Sequence, residues 1–393
     1  MRKKRVVFFL LGIMLAVGLW GCRTASQDQI DTTTDKIPTV TATLTPTTTP
    51  VPTIADIAPV DLVAKMNIGW NLGNTLDAKG GIGIMSELAW GNPKTRQNMI
   101  DAVLEAGFNI IRIPVTWEGH FGAAPEYKIH ELWLSRVQEV VDYAYEKGAY
   151  VILNMHHEDW YFPSEENKEA NAEQIAALWT QIATYFQNYN ERLIFEGLNE
   201  PRKRETAIEW SGDKEAREVI NYWEQAFVDA VRATGGNNAL RHLMITGYAA
   251  SSSRENLEAM VLPEDDKLIV SVHAYTPYNF ALNTLGTSSW DVTQDTEEID
   301  RLMENLEELF ISKCIAVMIG EFGAVNKDNE EDRTEWARYY VTKAEELGVP
   351  CIWWDNNCFV GSGENFGLLD RSALEFRYQD MLNAMMQVVY PEK

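Results

Sequence analysis

"LIFEGLNEP", residues 193–201, runs a short apolar segment into two glutamates four positions apart, Glu196 and Glu200. Read as a strand, it alternates faces, so Glu196, Leu198 and Glu200 point the same way. An ionised carboxylate is expensive to bury without a partner. Two acids on one face of a buried strand therefore need either a pairing or a task.

Seven other segments share this texture: 67–73 "NIGWNLG", 109–115 "NIIRIPV", 150–156 "YVILNMH", 242–248 "HLMITGY", 268–275 "LIVSVHAY", 314–322 "CIAVMIGEF" and 351–356 "CIWWDN". Amphipathic stretches of helical length separate them, as at 94–107, 132–148, 172–189, 296–310 and 332–348. Their apolar residues recur every three or four positions, as in Val137, Val140, Val141 and Ala144. Gly107, Gly148 and Gly348 stand where helices stop. Repeated strand–helix units imply a parallel sheet. About eight of them predict an α/β fold of the (β/α)8 TIM-barrel type rather than an open doubly wound sheet. The glycines of "WNLGNTLDAKGGIG" form neither of the phosphate-binding patterns that a doubly wound nucleotide binder would show.

The ends of the chain fit a three-part organisation. Residues 1–22 read as a lipoprotein-type signal peptide: basic "MRKKR", an apolar run, then "LWGC", in which Cys22 is the expected lipidation site. Residues 23–53 are rich in Thr and Pro, cannot bury enough surface to fold, and read as an extended linker. Residues 54–393 hold the barrel. The expected location is the cell surface, with the membrane met only through a lipid anchor. The net charge of -24 argues against nucleic acid and anionic lipid as partners and suits a neutral substrate. Beyond Cys22 there are Cys314, Cys351 and Cys358, an odd set with no zinc-like spacing. Cys314 and Cys351 lie in strand-like runs and are expected to be buried free thiols.

Polar residues gather at the C-terminal ends of the predicted strands: Arg112, His156-His157-Glu158, Asn199-Glu200, His273 and Tyr275, Glu321, and Trp354-Asp355-Asn356. In a parallel barrel these ends share one rim, where such folds place their active sites. Glu200 and Glu321, after the fourth and seventh strands, can face each other across it. A facing carboxylate pair is the machinery of glycoside hydrolysis. Arg112 and Tyr275 are expected to keep Glu321 ionised, and apolar walls to raise the pKa of Glu200. Trp354 offers a flat face to a pyranose ring; Trp353 and Trp354 are neighbours in a strand and face opposite ways, so one of the two belongs to the core. Glu196, lower in the barrel, is expected to pair with an arginine or a hydroxyl. His157 reads equally as a sugar contact or as a buried, hydrogen-bonded histidine. Asn71 and Asn74 read either as sugar contacts or as partners of backbone groups. Trp117, Trp160 and Tyr161 read as subsite walls or as packing. "HHED" could ligate a metal, but no metal or cofactor is expected.

The segments "GWNLGNTLDA", "IIRIPVTW", "ILNMHHE", "FEGLNEP", "VHAYTPYNF", "IGEFGA" and "WWDNN" occur in order over residues 66–370. The set resembles glycoside hydrolase family 5, a retaining (β/α)8 family of cellulases, and its "NLGNTLDA" and "HH" variants resemble the endoglucanase and xyloglucanase branch called subfamily 4. The resemblance implies Glu200 as general acid/base and Glu321 as nucleophile. It implies Arg112, His156, Asn199, His273, Tyr275 and Trp354 as active-site positions, with His157 and Asn71 as further substrate-binding candidates. The expected substrate is a β-1,4-linked polysaccharide, cut internally by a monomeric catalytic domain. Xylanase and mannanase activity, or glycan binding without catalysis, are the alternatives.

Overall fold

The computed structural model describes residues 53–391. The leader at 1–22, with Cys22, and all of the linker at 23–53 except Thr53 lie outside the described residues. The strands are β1 (Ile68–Leu72), β2 (Ile110–Ile113), β3 (Tyr150–Asn154), β4 (Leu193–Glu196), β5 (Leu243–Ser251), β6 (Leu268–His273), β7 (Ala316–Phe322) and β8 (Cys351–Asp355). They close into a barrel in chain order, β1 pairing with both β2 and β8, every pairing parallel. The fold is the expected (β/α)8 barrel.

Helices α1 (Pro59–Val63), α2 (Gln97–Glu105), α3 (Glu131–Tyr145), α4 (Lys168–Tyr185), α5 (Lys214–Ala233), α6 (Arg254–Glu258), α7 (Tyr278–Ala281), α8 (Glu297–Leu309), α9 (Glu330–Glu346) and α10 (Gln379–Val389) accompany the strands. Val137, Val140, Val141 and Ala144 of α3 are all fully buried, so the apolar stripe read from the sequence is the face that packs on the sheet. Gly107, Gly148 and Gly348 take positive φ just beyond their helices, as a helix stop requires. None of the described helices is long and apolar enough to cross a membrane.

The barrel interior has three tiers. At the bottom, Ile110, Ile152, Ile194, Met244, Ile269, Met318 and Ile352 form an apolar layer sealed by Leu62 and Val63 of α1. One inward step up, the layer turns polar: Asn71, Arg112, Asn154, Glu196 and Ser271, all at most 1% exposed. Above it lies the rim. Hydrogen-bonded strands stop below the rim, so the polar residues of the sequence motifs stand mostly on the turns that follow. Leu198 is one correction. The strand ends at Glu196, the alternation breaks at Gly197, and Leu198 joins the core between sheet and helices together with Phe195. Cys314 is another. It is exposed, with φ 61°, before β7 begins. Cys351 is buried, Cys358 is exposed, and all three thiols are free.

Candidate active site

A cleft of about 1080 Å³ opens at the C-terminal rim of the barrel. Its lining includes His156, His157, Asn199, Glu200, His273, Tyr275, Glu321 and Trp354. The fold thus brings eight of the ten predicted site residues in the barrel to one surface.

Glu321 arrives there through an irregularity. Val272 pairs with Ile319 but His273 pairs with Glu321, so β7 carries one extra residue, Gly320, opposite β6. A bulge of this kind re-aims the side chain that follows it. Glu321 is then gripped from two sides. Arg112 donates through Nη1 to its Oε1 at 2.7 Å, and the Tyr275 hydroxyl donates to its Oε2 at 2.8 Å. Burial works against the charge of Arg112, but Glu196 and Glu321 outweigh it and hold the guanidinium above its ordinary range. Burial, reinforced by the charge of Glu321, holds the Tyr275 phenol well above its ordinary range, so it stays a donor.

Glu200 sits opposite. An oxygen of Glu200, an oxygen of Glu321 and a ring nitrogen of His273 all lie within 4.8 Å of one another. His273 Nδ1 is 2.8 Å from Glu200 Oε1 and 3.6 Å from Glu321 Oε2. Burial is the largest influence on Glu200 and pushes its pKa up. His273, Arg202 and His157 together overturn that push and draw it down to about 2. This corrects the expectation of apolar walls: the surroundings of Glu200 are polar and cationic, and they favour the carboxylate.

Glu196 meets its expectation. Arg112 Nε donates to Oε2 at 2.7 Å and Ser271 Oγ donates to Oε1 at 2.7 Å. Arg112 itself is fully buried below the cleft floor and also donates to Asn71 and Asn199. Asn71 likewise does not reach the cleft. Its amide NH2 contacts the carbonyls of Gly320, Ile352 and Trp353, so a substrate contact from it gives way to a structural one. Asn74 does line the cleft. Asn199 spends its carbonyl on Arg112 at 2.7 Å.

His156 has an assignable tautomer. Val115 N–H donates to Asn154 Oδ1, which turns the Asn154 amide NH2 toward His156 Nδ1 at 3.0 Å. Nδ1 therefore accepts, and Nε2 carries the hydrogen. Burial, then His157 and Arg112, holds His156 neutral, well below its usual range. Its ring lies parallel to Trp354 at 5.7 Å between centroids. Trp353 faces the other way, against Phe322 and Trp336. His157 lines the cleft with its ring 5.5 Å from Trp90, and burial lowers it to about 4.

Trp117 and Tyr161 are buried and bond to the carbonyls of Asn154 and His156; they are not cleft walls. Trp160 donates to Glu158 and does not line the cleft either. The walls come instead from Trp90, Trp210 and Tyr278, 43%, 62% and 58% exposed, with Arg202 and Glu364. Trp90 and Trp210 stand in turns and Tyr278 opens the one-turn α7, where no periodicity marks them. Their only sequence signal is a large aromatic among turn residues, which core loops share.

Among the described residues, Asp77, His156 and His157 also approach closely enough to suggest a metal site. Asp77 already accepts the N–H groups of Asn74 and Thr75, and His156 Nδ1 is engaged by Asn154.

A barrel with an opposed carboxylate pair at its C-terminal mouth defines a glycoside hydrolase framework. Residues 75–359 match the model of the cellulase family, glycosyl hydrolase family 5. Endoglucanase 1 of Ruminococcus albus is 53% identical over 336 residues, 85% of this chain and 81% of that protein. A broad-specificity GH5-4 endoglucanase from Ruminococcus champanellensis, solved with cellotriose, is 49% identical with a TM-score of 0.83, covering 85% of this chain and 99% of that one. A xyloglucan-specific endo-β-1,4-glucanase from a metagenomic library, also solved with cellotriose, is 46% identical with a TM-score of 0.82, covering 84% of this chain and 98% of that one. The chain belongs to glycoside hydrolase family 5, and these structural neighbours place it beside subfamily 4.

Proposed function

We propose that this chain is a retaining endo-β-1,4-glucanase that hydrolyses internal bonds of cellulose, mixed-linkage β-glucan or xyloglucan. One observation carries the mechanism: oxygens of Glu200 and Glu321 lie within 4.8 Å of each other. Retaining enzymes hold their carboxyls about 5–5.5 Å apart, an arrangement that this close approach of one oxygen from each group suits. Glu321, fixed by Arg112 and Tyr275, attacks the anomeric carbon. The bond to the glycosidic oxygen breaks, and that oxygen takes a proton from Glu200. Water then enters, Glu200 removes its proton, the water oxygen bonds the anomeric carbon, and Glu321 leaves. Glu200 must be an acid in the first step and a base in the second. Burial is the influence that raises it, and a bound chain adds to that burial. Trp354 and the aromatic walls suit pyranose faces.

Initial rates on carboxymethylcellulose, barley β-glucan, xyloglucan, xylan and glucomannan test the substrate class. Activity on the glucans with a rapid fall in viscosity is expected; dominant activity on xylan or glucomannan would overturn it. Glu200→Gln is expected to lower kcat on polymer by about 10²–10⁴, and Glu321→Ala to abolish turnover. Binding without hydrolysis by the unaltered protein would instead favour a glycan-binding role.

We further propose that cleavage falls just before Cys22, that Cys22 is lipidated as the first residue of the mature chain, and that residues 23–53 tether a monomeric catalytic domain at the cell surface. The order of basic flank, apolar run and "LWGC" supports this. Palmitate labelling that persists in Cys22→Ala would contradict it.

A further inference from the structure

Arg202 follows Glu200 by two residues and is committed to it. Its Nη1 donates to the Glu200 backbone carbonyl at 3.0 Å and to Glu200 Oε2 at 3.3 Å. Two neighbours fix the guanidinium. Glu209 Oε1 accepts from Nε at 3.1 Å, and the Trp210 ring lies 4.4 Å from Cζ. Glu209 is itself anchored, since its Oε2 accepts the N–H of Glu205 and its carbonyl accepts the Tyr248 hydroxyl. A long side chain held at three points loses little further freedom in holding Glu200.

We propose that Arg202 is a positioning residue that biases Glu200 toward its ionised form, with Trp210 as the platform that locks it. This rests on the assignment of Glu200 as acid/base. The groups around Glu200 divide by sign. Arg202 and His157 add positive charge or polarity from the turns after β4 and β3, and His273 hydrogen-bonds it from β6. Glu321 after the β7 bulge and Glu364 after β8 oppose ionisation as like charges, and Tyr275 faces Glu321. Arg202 is the permanent cation among the residues that touch Glu200. Losing it favours the protonated carboxyl, which helps the first step and weakens the base of the second.

The test compares pH profiles of kcat/KM and kcat for Arg202→Met, Arg202→Lys, Trp210→Leu and the unaltered enzyme on a cellobioside with a phenolic leaving group. Arg202→Met is expected to move the alkaline limb of kcat/KM upward by on the order of one pH unit, the low end for an opposite charge beside a carboxylate. Arg202→Lys restores most of the shift, and Trp210→Leu gives a smaller displacement in the same direction. In a Glu200→Gln background, Arg202→Met leaves the profile where it is. An unmoved limb in folded Arg202→Met, or a shift that persists without the Glu200 carboxyl, would overturn the inference. If Glu200→Gln alone keeps full activity on polymer, the acid/base assignment fails instead, so the two failures are distinguishable.

Discussion

Arg112 ties the polar tier to the rim. One fully buried guanidinium donates to Glu196, Asn71, Asn199 and Glu321. Removing one partner of a buried ion pair leaves the other charge uncompensated and costs about 3–5 kcal/mol. Arg112→Met is therefore expected to lower the thermal midpoint by several degrees and to reduce kcat far more than it changes KM. Thermal unfolding and kinetics check this; an unchanged kcat would show that Glu321 needs no cationic partner. Much at this scale was legible. Glu200 and Glu321 end apolar runs, and the cost of burying Glu196 alone demanded a partner. Asn71 was not, because an asparagine near a strand end looks the same whether its amide meets a sugar or a barrel carbonyl. The environment of Glu200 was not either, since Arg202, 15% exposed in its side chain, is brought against it by a turn.

At the scale of elements, the sheet was read correctly and its ends were overrun. Strand-like residues continue past the last ladder bond, as "GLNE" does after Glu196. The bulge in β7 was invisible, because Gly320 reads as an ordinary strand glycine. In the fold, a Cβ at Gly320 would stand 2.7 Å from Ser271 Oγ and 3.3 Å from His273 Nε2. Ser271 supports Glu196 and His273 supports Glu200. Gly320→Ala should thus disturb both supports, destabilising by about 1–3 kcal/mol as overpacking does. Unfolding curves and kcat measure it; a neutral outcome would mean the two strands separate freely at the bulge.

For the whole molecule, the barrel followed from counting strand–helix units, and the charge follows from composition. A net charge of -24 does not attract a neutral glucan but repels an anionic one. KM for carboxymethylcellulose is expected to fall as salt rises from about 10 mM to 0.5 M, where screening becomes short-ranged. KM for barley β-glucan should stay nearly constant. Equal salt responses for both polymers would show that charge plays no part in substrate approach.

The most direct test of the double displacement by Glu200 and Glu321 is the anomeric configuration of the first product. Proton NMR of cellotetraose hydrolysis, recorded before mutarotation, should show the β-anomer first. Initial release of the α-anomer would contradict the mechanism drawn from the carboxylate spacing.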